Sequence, residues 1–148
     1  MLSDWWAEVE AGAEFVRSPS SGGWQTPTVR AEFRACGDIM TTAKRFPWCV
    51  EVKRREAWSE KGLFLGRPSP VWAWWEQTLA AAKTAKLRPM LWFRKSRQPW
   101  FVAFDRERDT LSWLPKRFVR DVETDVGAIR VLACEVLLAT TPGKWCES

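Results

Sequence analysis

The sequence contains no histidine and no tyrosine, and the first absence narrows the chemistry that it can support. Histidine is the commonest general base near neutral pH and the commonest zinc ligand, so histidine-based hydrolysis and histidine-ligated zinc sites are excluded. The chain also has no uncharged apolar run of the roughly 18 residues that a membrane-spanning helix needs. Any hydrolytic chemistry must therefore rely on carboxylates, lysine and a hard metal ion.

The chain has only four cysteines, and none of their spacings is the short pair typical of zinc sites or redox motifs. The four residues are Cys36, Cys49, Cys134 and Cys146. The N-terminus has neither the basic flank nor the apolar segment of a signal peptide, so we expect a soluble, cytoplasmic protein. In that compartment, isolated cysteines are expected to be small core residues rather than disulfide partners.

Length and composition predict one globular domain spanning residues 1–148. Of the 148 residues, 46% are hydrophobic and 28% are charged, a balance that excludes disordered and low-complexity classes. Twelve tryptophans stand out. Tryptophan at that density can fill a core, but it also favours a protein interface.

The net charge of +5 is concentrated in the middle of the chain. Residues 29–99 carry 15 basic and 6 acidic residues, a balance of +9, whereas residues 1–28 carry −3 and residues 100–148 are nearly neutral. A basic block of this kind is typical of a protein that binds a polyanion. The alternative is a solvated basic face that has no partner.

The pattern of apolar and turn residues predicts alternating helices and strands. The elements are a helix from Ser3 to about Ala11, strands at 15–17, 38–42 and 47–53, a helix from Ser69 to about Lys86, and strands at 89–93 and 100–104. Two hairpins are expected, one through 43–46 and one through 94–99. Residues 128–140 fit either a strand or a helix. The order predicts an α/β fold with a central mixed sheet flanked by helices.

The candidate chemistry lies in the first predicted hairpin. Strand residues two apart share a face, so Glu51 and Lys53 lie side by side while Val50 and Val52 face the core. Asp38 would lie opposite or diagonal to Glu51, close enough to share an ion.

Two carboxylates and the backbone carbonyl of Val52 suit Mg²⁺, which prefers oxygen ligands and keeps several waters. The cation would polarise a scissile phosphate, and Lys53 would position water or balance charge in the transition state. The alternative interpretation of Glu51 and Lys53 is a surface ion pair on an edge strand.

The pattern Gly37-Asp38 followed by Val50-Glu51-Val52-Lys53 resembles the Asp…Glu-x-Lys signature of the restriction-endonuclease-like, PD-(D/E)xK nuclease superfamily. The run from Phe15 to Gly23 resembles more specifically the strand and serine–glycine loop of archaeal-type Holliday junction resolvases. The resemblance covers about residues 4–104, which leaves residues 105–148 as a C-terminal extension. It implies a restriction-endonuclease-like core.

The resemblance also implies an activity and its partners. Members are homodimeric, Mg²⁺-dependent endonucleases that nick four-way DNA junctions in paired strands, and Mn²⁺ is expected to substitute. A membrane and an organic cofactor are not expected. The alternatives are another DNA nuclease of this fold, of restriction or repair type, and a non-catalytic DNA-binding module. The intact Asp38, Glu51 and Lys53 argue against the last.

Further site residues are assigned by position in the same pattern. The resemblance implies that a glutamate of the N-terminal helix, Glu10 in preference to Glu8, serves as a catalytic and metal-binding residue. It also implies that Gln77 on the helix orients Lys53 or the water. The candidate DNA-binding residues are Arg17, Ser18, Ser20, Lys44, Arg45, Arg54 and Arg55. The expected dimer interface centres on the tryptophans of the 69–86 helix.

Overall fold

A small antiparallel sheet lies near the start of the chain in the computed structural model, which describes residues 1–18, 33–109 and 111–146. Its strands are β1 (Phe15–Arg17), β2 (Arg34–Cys36) and β3 (Ile39–Thr41), and β3 lies between the other two. The predicted strand at 15–17 is confirmed. Strand β2 was not expected from the sequence.

A second, five-stranded sheet forms the centre of the fold. Its strands are β4 (Trp48–Arg54), β5 (Arg88–Arg94), β6 (Phe101–Asp105), β7 (Arg120–Thr124) and β8 (Gly127–Ala133), in the spatial order β4–β5–β6–β8–β7. The β4–β5 pair is parallel and the other pairs are antiparallel, so the sheet is mixed, as predicted. The predicted second hairpin is confirmed as β5 and β6.

Helices cover both faces of the large sheet. They are α1 (Leu2–Trp6), α2 (Glu60–Phe64), α3 (Pro70–Ala85), α4 (Cys134–Leu138) and α5 (Gly143–Cys146). Helices α2 and α3 pack on one face in a core that contains Trp75, and α1, α4 and α5 pack on the other in a core that contains Trp48. This arrangement confirms the predicted α/β class. No helix among the described residues is long and apolar enough to span a bilayer.

The predicted first hairpin is wrong. Strand β3 pairs with β1 and β2, whereas β4 pairs with β5. The segment between β3 and β4 is a turn of which only Lys44 and Arg45 are exposed, because Ala43 and Phe46 on either side of them are buried. The ring of Phe46 lies 5.3 Å from the ring of Trp48. Burial of these apolar side chains draws the segment into the core and separates the two strands.

The cysteine expectation is wrong for one pair. Cys36 and Cys49 form a disulfide, with their Cα atoms 5.1 Å apart. They are 13 positions apart in the sequence, and only the approach of β2 to β4 brings them together. Cys134 and Cys146 are not part of this disulfide.

The two ends of the chain also differ from the prediction. Helix α1 ends at Trp6 rather than near Ala11, and turns follow it as far as Gly12, which has a φ of +78°. The ambiguous segment 128–140 combines both alternatives, since β8 leads directly into α4. Trp145 is fully buried in the Trp48 core, so the expected C-terminal extension packs into the same domain.

Candidate active site

The turn that carries Asp38 is attached to the outer edge of β4. Gly37 forms a parallel bridge with Val50, and the N–H of Asp38 donates a 2.8 Å hydrogen bond to the Val50 carbonyl. Gly37 has a φ of +66°, and a Cβ on it would lie 2.9 Å from the carbonyl carbon of Val50. Only glycine tolerates both the left-handed conformation and this close approach. Gly37 therefore sets how closely Asp38 approaches the strand.

The side chain of Asp38 is held by the next exposed backbone group along the same edge. The N–H of Val52 donates a 2.8 Å hydrogen bond to Oδ2 of Asp38. The N–H and C=O of one strand residue point to the same side, so the Val52 carbonyl also faces this edge. The carboxylate of Asp38 and the carbonyl of Val52 thus lie on the same edge of β4.

Glu51 and Lys53 lie on one face of β4, as predicted. Nζ of Lys53 is 3.9 Å from Oε2 of Glu51, and Glu51 is only 7% exposed. The carboxyl groups of Glu51 and Asp38 are close enough to share a hydrogen bond. A turn and a strand edge thus bring the three residues together, although no hairpin joins them.

The electrostatics of this cluster suit a bound cation. Burial raises the pKa of Glu51 to about 7, the negative charge of Asp38 and their shared hydrogen bond add to the rise, and Lys53 opposes it. A divalent cation would relieve the repulsion between the carboxylates, and the oxygen donors are of the type that Mg²⁺ binds. Within the described ranges, no three Asp, Glu, His or Cys side chains surround one point.

An open cavity of about 660 Å³ adjoins the cluster at the C-terminal end of β4. Asp38 and Val52 line it, together with five cationic side chains: Arg17, Lys53, Arg54, Arg55 and Arg94. Clefts lined by charges of one sign concentrate ions of the other. The cavity therefore suits an anion held beside the carboxylate of Asp38.

Comparison with protein families gives one match. The family model described as "Phage putative PDDEXK endonuclease" matches residues 1–140. The chain belongs to this family. The match supports the restriction-endonuclease-like superfamily that the sequence pattern indicated, but not the archaeal-type junction resolvases in particular. No curated protein and no solved structure matches the chain.

Arg94 and Trp100 also line the cavity and were missed as site residues in the sequence. The guanidinium of Arg94 lies 4.5 Å from the centre of the Trp100 ring, a cation–π contact at the cavity wall. Arg94 pairs with Arg54 in the parallel register of β4 and β5. The sequence does contain a signal for this pairing. A helix between two strands is typical of a crossover that makes the strands parallel, and a parallel pairing brings Arg94 beside Arg54.

Arg17 and Ser18 lie beside the Asp38 turn. Arg17 pairs with Ile39 in the small sheet and lines the cavity. The N–H of Ser18 donates a 2.7 Å hydrogen bond to the carbonyl of Asp38, and Ser18 is 8% exposed. Ser20 lies outside the described residues, so its predicted contact with DNA stays a prediction.

Glu10 is placed away from Asp38 and Glu51. Its carboxylate accepts backbone hydrogen bonds from Lys44 (2.8 Å) and Arg45 (2.9 Å). Burial alone would raise the pKa of Glu10, but these hydrogen bonds outweigh it and the pKa is lowered. Glu10 thus holds the turn before β4 and is not a third carboxylate of the cluster.

Gln77 lies on α3, the helix that packs against β4 and β5. Its side chain is exposed. One turn later, the carbonyl oxygen of Ala81 lies 3.8 Å from Sγ of Cys36, so this part of α3 approaches the small sheet. The proposed role of Gln77 in orienting Lys53 or water stays a prediction.

Proposed function

We propose that this endonuclease-family chain is a divalent-metal-dependent DNA endonuclease with Asp38, Glu51 and Lys53 in its active site. The observation that carries the proposal is the meeting of two carboxyl groups beside the Lys53 ammonium, next to a cavity lined by cations. Buried carboxylates that repel each other are costly to a fold, and such arrangements cluster at functional sites.

Each residue of the site has a separate task in phosphodiester hydrolysis. Asp38, Glu51 and the Val52 carbonyl would hold Mg²⁺, or Mn²⁺ in its place, and the bound cation supplies Lewis-acid activation of the phosphate. Lys53 orients the attacking water and balances the negative charge that develops on the phosphate oxygens. The N–H of Val52 keeps the carboxylate of Asp38 directed at the strand edge.

The proposed substrate is branched DNA, specifically a four-way junction that is cut at paired positions. The cationic lining of the cavity supports a nucleic-acid substrate, because phosphate contacts supply most sequence-independent affinity. The preference for junctions is supported by the resemblance of the run from Phe15 to Gly23 to the resolvase loop. Location on DNA in the cytoplasm is part of the same proposal.

The proposal includes a homodimer. Paired nicks need two active sites, and one chain provides one Asp38–Glu51–Lys53 cluster, so a two-fold dimer supplies the second. Helix α3 supports an interface, since Trp72 and Trp74 are only half-buried while Val71 and Trp75 fill the core beneath.

The test is cleavage of end-labelled DNA of three shapes: a four-way junction, a linear duplex of the same sequence, and a single strand. The proposal predicts paired nicks in the junction that require Mg²⁺ and stop when EDTA is added. Equal cutting of all three shapes would support another nuclease of this fold. Binding without cutting in Mg²⁺ or Mn²⁺ would identify a non-catalytic DNA-binding module.

A further inference from the structure

The Cys36–Cys49 disulfide lies directly beside the candidate active site. Cys36 is the last residue of β2 and precedes Gly37, while Cys49 is the second residue of β4 and precedes Val50. Gly37 and Val50 are themselves bridged. The disulfide thus joins the residue pair that precedes this bridge. Asp38 follows Cys36 by two positions, and Glu51 follows Cys49 by two positions.

The disulfide joins two sheets that otherwise form separate hydrogen-bonded ladders. The small sheet carries the Asp38 turn and the large sheet carries Glu51. Besides the disulfide, the Gly37–Val50 bridge links the Asp38 turn to β4, and this bridge includes the 2.8 Å hydrogen bond from the Asp38 N–H to the Val50 carbonyl. The 2.8 Å hydrogen bond from the Val52 N–H to the Asp38 carboxylate adds a further link. A single bridge at a sheet edge opens more readily than a ladder, because few groups must separate at once. A covalent link beside it limits that opening.

We propose that the Cys36–Cys49 disulfide is a positioning element of the metal site: it holds the Asp38 carboxyl against β4 beside Glu51, and its reduction weakens metal binding and slows cleavage. The part of this inference that concerns cleavage rests on the proposed function. Both carboxyls must reach one cation at once, so added freedom of the Asp38 turn lowers affinity without removing any ligand.

A dithiol reduces the Cys36–Cys49 disulfide by thiol–disulfide exchange. One thiolate of the dithiol attacks a protein sulfur and forms a mixed disulfide, and the other cysteine leaves as a thiolate, which then takes up a proton. The second dithiol sulfur then displaces the protein, so two protein thiols form and the dithiol is oxidised to its disulfide. Cys36 is half-buried whereas Cys49 is fully buried, so attack is expected at the Cys36 sulfur.

The test compares the oxidised protein, the protein reduced with dithiothreitol, and a double variant Cys36→Ala/Cys49→Ala. Alkylation and intact mass first establish the number of thiols in each sample. Mn²⁺ binding is then titrated by the loss of the free-ion electron paramagnetic resonance signal, well below the Tm of every sample. We expect the reduced and double-variant proteins to bind Mn²⁺ about 10-fold more weakly than the oxidised protein, and to cleave DNA correspondingly more slowly.

The matched control is Cys134→Ala/Cys146→Ala, which removes the other two cysteines and leaves the disulfide. It should bind Mn²⁺ like the oxidised wild type and lose affinity on reduction to the same extent. A purely structural disulfide would change Tm and leave Mn²⁺ affinity unaltered, and that result would overturn the proposal. Tighter binding or faster cleavage after reduction would overturn it as well.

Failure of this inference and failure of the proposed function give different results. If the proposed function is wrong, the oxidised protein does not cleave DNA. It then also shows no Mn²⁺ binding that the Glu51→Gln substitution abolishes. If only the present inference is wrong, oxidised and reduced proteins both cleave DNA at the same rate and bind Mn²⁺ equally well.

Discussion

The backbone N–H of Val52, in the large sheet, donates a 2.8 Å hydrogen bond to the carboxylate of Asp38, in the turn between two strands of the small sheet. The bond fixes a side chain of the small sheet on the edge of the strand that carries Glu51 and Lys53. The site therefore depends on how closely the Asp38 turn approaches β4, and that approach depends on Gly37.

Replacement of Gly37 by alanine should displace the Asp38 turn. The new Cβ would lie 2.9 Å from the Val50 carbonyl carbon and 3.1 Å from Oε1 of Glu51, at a φ of +66°. We expect a loss of unfolding free energy of about 2–4 kcal/mol, from the left-handed conformation and overpacking together, and a loss of cleavage. Urea denaturation and the cleavage assay measure the two effects.

The control for this variant is Gly66→Ala. Gly66 has a similar φ of +72°, but nothing lies within 4 Å of its added Cβ. It should cost only about 1–2 kcal/mol and leave cleavage unchanged. Equal losses of stability and activity in both variants would show that contact with β4 is not what requires glycine at position 37.

The cavity cations should dominate the salt dependence of DNA binding. Arg54 and Arg55 line the cavity, whereas Lys44 and Arg45 lie at the other end of β4, about 20 Å away along a seven-residue strand. Arg54→Ala and Arg55→Ala should each reduce the slope of log affinity against log salt by about 1.

Lys44→Ala and Arg45→Ala are the charge-matched controls for the cavity variants. Removing either should change the slope less, and gel-shift titrations between about 50 and 200 mM salt measure all four. If the two pairs lower the slope equally, the cavity is not the main DNA anchor. An affinity independent of salt would exclude the basic block altogether.

Part of the fold and site could be predicted from the sequence because the signals are local. Helix α3 begins with Ser69 and Pro70, and the shared face of Glu51 and Lys53 follows from strand periodicity. The same periodicity assigns Val50 to the opposite, buried face, where it lies in the Trp48 core.

The missed features depend on contacts between distant segments. The Cys36–Cys49 disulfide and the place of Glu10 on the Lys44–Arg45 turn arise only when the small sheet packs on β4. The false hairpin came from treating 43–46 as a hairpin turn, although Phe46 is an apolar residue that the core can bury. Two charged residues between predicted strands have the sequence pattern of an exposed hairpin turn. The tertiary contacts that bury Phe46 are needed to see that the two strands do not pair.

Asp109 should make stability depend on pH. Its side chain is fully buried, and burial raises its pKa to about 6, against the opposing effects of Arg88 and of a hydrogen bond from Trp48. The Asp109 carboxyl therefore holds its proton more tightly in the folded state than in the unfolded state. Its contribution to the unfolding free energy is present below about pH 4 and is lost as pH rises through about 6.

Asp109→Asn lacks this titration. Relative to wild type, its unfolding free energy should rise with pH by up to about 3 kcal/mol between pH 4 and 7. Urea denaturation at several pH values measures the difference. A constant difference between the two proteins across that range would show that Asp109 does not titrate in the folded state.

Trp74→Asp should dissociate the proposed dimer. The half-buried ring lies on α3, where a charge would oppose burial against a second copy. Sedimentation at micromolar concentration should show soluble monomers that bind DNA but no longer make coordinated cuts. Ala80→Asp, at an exposed position of the same helix, should remain dimeric. If Trp74→Asp stays dimeric, the interface lies elsewhere, and a monomeric wild type that makes paired nicks would exclude the dimer.

The most direct test of the account is cleavage and binding of labelled four-way junction DNA by wild type, Asp38→Asn, Glu51→Gln and Lys53→Ala in Mg²⁺. Each variant should cleave about 100-fold more slowly or worse. Gel-shift affinity should stay close to that of the wild type, because even Lys53→Ala keeps four of the five cavity cations. Wild-type cleavage by Glu51→Gln would contradict the assignment of the active site.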